Sequence, residues 1–173
     1  MSKTTIIFVL LFLLLILAQV VVFNHIWLFG VAIPIIFIYF IISLPESLGT
    51  GWVITFAFLA GFLVDIFSNT PGLNAMCCTV CGAVKRPMLK LYVSHDEEMA
   101  NSLPSPYTLG GITYMKYLIT FTTLYSLLYF VILSMDFFNF YRLVIRIIST
   151  SLLSFIIILA LSYLFNPSPS KKK

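Results

Sequence analysis

Apolar residues in this chain run in long unbroken blocks and do not recur at helical or strand spacing. Six blocks stand out: Ile6 to Phe23, Ile26 to Leu44, Trp52 to Phe67, Gly72 to Val84, Ile112 to Met135 and Tyr141 to Phe165. As a helix rising about 1.5 Å per residue, the first block covers roughly 27 Å, enough to cross the hydrocarbon core of a bilayer. The pattern predicts an all-α polytopic membrane protein: a compact bundle of about six transmembrane helices, forming one integral-membrane domain over residues 1–173. A β-barrel would alternate apolar and polar residues in segments of about ten, and the chain has no such alternation.

The punctuation between blocks refines this. Asn24 and His25 end the first block, whose only polar member is Gln19; an amide there is expected to hydrogen-bond across a helix interface. The second block carries Pro34 near its start, read as a first-turn proline, and Trp27 as a headgroup-level anchor. Tyr39-Phe-Ile-Ile-Ser-Leu-Pro45 closes it, with Pro45 as the stop. In the third block Ala57, Gly61 and Asp65 follow at intervals of four, so one helix face carries them in line. The fourth block is short and spans only if it continues past Lys85 and Arg86, whose stems are expected to snorkel toward headgroups. Pro87 then marks a kink or an end. Ala75, Thr79 and Gly82 give this block a small-residue face. Residues 94–111 form a polar loop holding His95, Asp96, Glu97 and Glu98, and a basic tail covers 166–173.

Between the third and fourth blocks lies the most unusual stretch, Gly61-Phe-Leu-Val-Asp65-Ile-Phe-Ser-Asn-Thr-Pro71-Gly72-Leu-Asn-Ala75. An ionisable residue inside a membrane costs about 2.5–3.5 kcal/mol on insertion scales, so Asp65 needs a reason. It reads either as a proton or cation relay or as a helix-end acceptor for the N–H groups and side chains of residues 69–73. The structural role is the preferred reading, because a pump of this size is expected to carry internal repeats and none is evident. Gly72, directly after Pro71, fits a positive φ or a close backbone approach.

Composition then narrows the chemistry. The 173 residues are 61% hydrophobic and 9% charged, against about 25% charged in ordinary soluble domains. The net charge of +4 sits at block edges. Six spans with both termini cytoplasmic place Lys3, Lys85, Arg86, Lys90, Lys116 and Lys171 to Lys173 inside, and only Arg142 and Arg146 outside, in accord with the positive-inside bias. The first block has no clean cleavage site after it and reads as a retained span. No basic–aromatic surface for nucleic acid appears. Cys77, Cys78 and Cys81 lack the second ligand pair a metal site needs, and no nucleophile–base set or phosphate loop is apparent. The expectation is a protein that is not an enzyme and holds no cofactor or metal.

The run from Tyr39 to Pro45, then Gly61-x-x-x-Asp65, then Pro71-Gly72-x-x-Ala75, resembles the MreD family of bacterial rod-shape-determining membrane proteins. The resemblance covers the whole length, from a first span ending in Gln to a basic tail. It implies a non-enzymatic component of the inner (cytoplasmic) membrane that serves the cell-elongation machinery. Such a component works with the single-span periplasmic partner MreC, the filament protein MreB and wall-synthesis enzymes to control cell shape and peptidoglycan synthesis. Tyr39, Pro45, Gly61, Asp65, Pro71, Gly72 and Ala75 are the motif candidates. The alternative is a substrate-binding membrane subunit of a vitamin-type importer. That reading would need a polar pocket among the outer helix ends, where Asn24, His25, Ser68, Asn69 and Asn139 are the available groups.

Overall fold

The computed structural model describes residues 3–25, 32–92, 104–133 and 140–165, with side chains from Phe8 onward in the first helix and without that of His25. The expectations for Trp27, His95, Asp96, Glu97, Glu98 and Asn139, for the rest of loop 94–103 and for the basic tail lie outside these residues. The described elements are α1 (Lys3–Val21), a 3₁₀ turn (Phe23–His25), α2 (Ile38–Ser43), α3 (Thr50–Ser68), α4 (Leu73–Tyr92), α5 (Gly111–Leu133) and α6 (Phe140–Phe165). All are helical, and α3, α5 and α6 are each long and apolar enough to cross a membrane. The first, third, fifth and sixth blocks match their helices to within a few residues.

The second block does not form a continuous helix. Its described part is irregular as far as Ile36, turns at Phe37, and closes with the six-residue α2. Pro34 is therefore not a first-turn proline; it sits in the irregular part, several residues ahead of the helix. Irregular backbone in an apolar interior exposes donors and acceptors that must find partners there. They find them in side chains of two flanking helices. Thr150 Oγ1 accepts from Ile33 N–H at 3.3 Å, Ser154 Oγ from Ile35 N–H at 2.9 Å and Gln19 Oε1 from Ile36 N–H at 2.8 Å. Gln19 Nε2 in turn donates to the Pro34 carbonyl at 3.1 Å. Gln19 thus bridges, as expected of it, but it serves an irregular segment and not a second helix.

That segment is the centre of the molecule. Every residue from Ile35 to Ile42 is buried, and Ile41 and Ile42 are fully enclosed. Neighbouring helices grip it through rings: Phe12 on Phe40 at 4.7 Å, Tyr125 edge-on to Phe37 at 5.9 Å, and Phe165 stacked on Tyr39 at 6.1 Å. Leu44 and Pro45 end α2, and the chain turns through a Leu48 N–H to Pro45 carbonyl bond into α3. The segment joins Gln19 at its start to Lys85 at its end.

Helices α3 and α4 form a close antiparallel hairpin. Gly61 lies so near α4 that a Cβ there would stand 2.5 Å from the Asn74 carbonyl oxygen and 2.7 Å from Ala75 Cα. A Cβ on Gly82 would meet Ala57 Cβ at 2.9 Å. The small residues on the two helices are thus consumed by each other. α4 is not the short helix its apolar run suggests. It continues for 20 residues through Pro87, which neither ends it nor opens a re-entrant loop. A proline inside a helix removes one backbone bond and crowds the preceding turn. Here the exposed ring lies directly after Lys85 and Arg86, which tie α4 to the α2–α3 loop.

Large apolar side chains lie on the outside of the bundle as well as in its apolar core, which also encloses a few polar groups. Leu10, Leu13 and Leu17 of α1, Phe62 and Ile66 of α3 and Ile156 of α6 point outward. Gln19, Asp65, Asn74, Lys85, Thr150 and Ser154 are buried.

Candidate functional site

The residues singled out around the α3–α4 turn converge on one joint. α3 ends at Asn69, which adopts the left-handed conformation (φ 55°) as its N–H returns to the Asp65 carbonyl. Thr70 N–H bonds the same carbonyl at 3.3 Å. Pro71 and Gly72 form the exposed outer edge, and Gly72 has φ +78°, a conformation only glycine adopts cheaply. α4 then starts, and its first backbone bond runs from Met76 N–H to the Gly72 carbonyl.

Asp65 is buried, 5% exposed, and both its oxygens are engaged. Oδ1 accepts from Thr70 Oγ1 at 2.6 Å, Asn74 N–H at 3.0 Å and Asn74 Nδ2 at 2.9 Å. Oδ2 accepts from Ala75 N–H at 2.8 Å. The carboxylate therefore caps the first turn of α4 from a neighbouring helix, filling backbone donors that helix geometry leaves without partners. A negative group at a helix N-terminus also meets the positive end of the helix dipole. The capping role expected for Asp65 holds. The donors are those of Asn74 and Ala75 with the Thr70 side chain, however, and not the N–H groups of residues 69–73. Ala75 is buried at this contact, and the Gly61 approach brings its N–H within reach.

Asn74 is the member that the sequence reading missed. Its Nδ2 serves Asp65 and Thr70, and its Oδ1 accepts from Tyr125 Oη at 2.6 Å, linking the joint to α5. The signal available was a lone amide in the first turn of an apolar helix, nine residues after the only acid of that hairpin.

Tyr39 and Pro45 lie elsewhere. Tyr39 is buried in the central segment, and Pro45 belongs to the opposite end of the bundle, at the α2–α3 loop. That loop is a second constellation. Lys85 is 1% exposed and its Nζ donates to the Leu44 carbonyl. Arg86 donates to the carbonyls of Glu46 and Leu48 and to Thr50 Oγ1. These side chains do not snorkel outward; they turn inward because the broken second block leaves carbonyls at its end that no helix satisfies. The three cysteines are buried. Among the described residues no group of three or more potential ligands could hold a metal ion.

Beside the Asp65 joint lies a cavity of about 370 Å³, bordered by Gln19, Asn24, Ser68, Thr70, Asn74 and Tyr129, with Phe37 and Phe67 among its apolar walls. Gln19 Nε2 donates to Asn24 Oδ1 at 3.0 Å, and Asn24 Nδ2 donates to Ser68 Oγ. The expected outer-end residues Asn24 and Ser68 are thus brought together. Asn69 is exposed and does not border this cavity. No family model, curated protein or solved structure matches the chain.

Proposed function

We propose that the chain is a multi-pass protein of the bacterial inner membrane, with both termini cytoplasmic, and a non-enzymatic scaffold of the cell-elongation complex. In that role it binds a MreC-like single-span partner and works alongside a MreB-like filament protein and wall-synthesis enzymes. One observation carries the reading. Gly61, Asp65, Pro71, Gly72 and Ala75, which bear the family resemblance, belong to one close-packed, hydrogen-bonded joint and are not five separate features. The apolar exterior supports residence in lipid. Lys85 and Arg86 lie at the opposite end of the bundle from Ser68, which supports the orientation with basic residues inside.

Of the small-residue faces at Ala57/Gly61 and Ala75/Thr79/Gly82, Ala57, Gly61, Ala75 and Gly82 are taken up by the α3–α4 contact. A partner helix must therefore use an outward apolar face. Reporter fusions at the C-terminus and within residues 68–70 should report opposite sides of the membrane. Depletion should turn rod-shaped cells round while septation continues, and the detergent-solubilised protein should co-purify with the single-span partner. Cells that keep their rod shape but lose uptake of one nutrient would overturn the scaffold reading. They would support the second one, a membrane subunit of a small-molecule importer, which the cavity beside the joint favours.

A further inference from the structure

The cavity at the Asp65 joint has a lining that states what it can hold. Its 370 Å³ falls within the range of small-molecule sites. Among the described residues, no charged side chain borders it. Much of the polar lining is already committed to the protein. Gln19 spends its oxygen on Ile36 N–H and its nitrogen on Pro34 and Asn24. Both Asn74 Nδ2 hydrogens go to Asp65 and Thr70, and its oxygen accepts from Tyr125. Thr70 donates to Asp65 and accepts from Asn74.

Three groups keep capacity among the described residues: the second N–H of Asn24, the Ser68 O–H and the Tyr129 hydroxyl. Asn24 Nδ2 spends one hydrogen on Ser68 Oγ, which only accepts in that bond. The Tyr129 ring is held against Tyr125 and Phe130 at 6.2 and 5.3 Å, and its hydroxyl bonds none of the described residues. The spare capacity is thus one amide N–H and two hydroxyls, which donate and also accept, all neutral, beside aromatic walls.

Charge selection follows from what stands behind the lining. Asp65 is bonded to both Thr70 and Asn74, so its carboxylate is one side chain away, and among the described residues it bonds no cation. An anion in the cavity would lose its hydration and meet that charge. A cation would find no carboxylate in the described lining, because Asp65 stands behind Thr70 and Asn74 and both its oxygens are bonded to the turn and the helix start. Burying either unpaired ion is costly.

We propose that this cavity binds a small uncharged molecule carrying a carbonyl or hydroxyl oxygen on a flat ring. The oxygen accepts from Asn24, Ser68 and Tyr129, and the ring lies against the aromatic wall. The proposal rests on the lining alone and stands apart from the scaffold reading.

Three probes of one shape test it: nicotinamide (neutral), nicotinate (anionic) and 1-methylnicotinamide (cationic). Affinity of the full chain in detergent micelles is measured by ligand-observed NMR, with thermal unfolding as a check on the fold. Nicotinamide should bind, and the two ions should bind at least about tenfold more weakly. Tyr129→Phe should weaken nicotinamide about five- to tenfold, the value of one hydrogen bond, without changing the unfolding temperature of the free protein. Ser68→Ala should weaken it comparably. The proposal is overturned if nicotinamide does not bind, if the three probes bind alike, or if a folded Tyr129→Phe protein binds nicotinamide as well as the parent.

Discussion

A single methyl group added at Gly61 should be among the most damaging changes available in this protein. In Gly61→Ala the new Cβ would stand 2.5 Å from the Asn74 oxygen, 2.6 Å from its carbonyl carbon and 2.7 Å from Ala75 Cα. Ordinary carbon contacts are about 3.5–4.0 Å, so α4 must retreat by roughly 1 Å. All three atoms belong to backbone, and no side chain can rotate away. The retreat takes Asn74 and Ala75 away from Asp65, whose bonds to their N–H groups are 3.0 and 2.8 Å long. Overpacking costs about 1–3 kcal/mol. Losing one bond to a charged acceptor adds about 1.5–3 kcal/mol. Better helix propensity returns at most about 1 kcal/mol. The net loss is about 3 kcal/mol, or two orders of magnitude in the folded fraction.

Three other glycines calibrate this value. Gly82→Ala meets mainly a side chain, Ala57 Cβ at 2.9 Å, and should cost about 1–2 kcal/mol. Gly72→Ala has open space but φ +78°, a strain of about 1–2 kcal/mol. Gly51→Ala meets nothing within 4 Å and should be neutral or stabilising. Unfolding by SDS in mixed micelles, followed by circular dichroism, gives the four values on one scale. A Gly61→Ala protein within about 0.5 kcal/mol of Gly51→Ala would refute the reasoning.

Asp65→Asn is not a conservative change, because its amide must turn an N–H₂ toward a donor. If the oxygen stays on the Oδ1 side, the nitrogen faces Ala75 N–H, and the same assay should show a loss of about 1.5–3 kcal/mol. Asp65→Leu, which strands all four donors, should lose more; an Asn variant as stable as the parent would remove the capping argument. Gln19→Leu orphans the Ile36 N–H and the Pro34 carbonyl together and should cost at least about 2 kcal/mol in the same unfolding titration. Arg86→Lys cannot reach three acceptors with one ammonium; protease cleavage within residues 44–50 should rise for this variant and stay unchanged for the nearby Lys90→Met.

The chain's order of residues determined the bundle's parts list. Blocks of apolar side chains can satisfy their backbone only as helices, which is why α1, α3, α5 and α6 were legible to within a few residues. The turn at Ser68–Gly72 was legible too, since Pro71 and Gly72 restrict and release the backbone locally, and a charge at Asp65 demands nearby donors. What tertiary structure decided is where those demands are met. The irregular course at Pro34 depends on Gln19, Thr150 and Ser154, two of them more than a hundred residues away. The length of α4 depends on a cap supplied by α3 and on Lys85 and Arg86 finding carbonyls of the α2–α3 loop. Periodicity reports only local preference, and proximity across helices is invisible to it. The second block's helix and the snorkelling cations were therefore the expectations that packing overturned. Asn74 and the cavity beside it became visible for the same reason, once Gly61 had let two backbones touch.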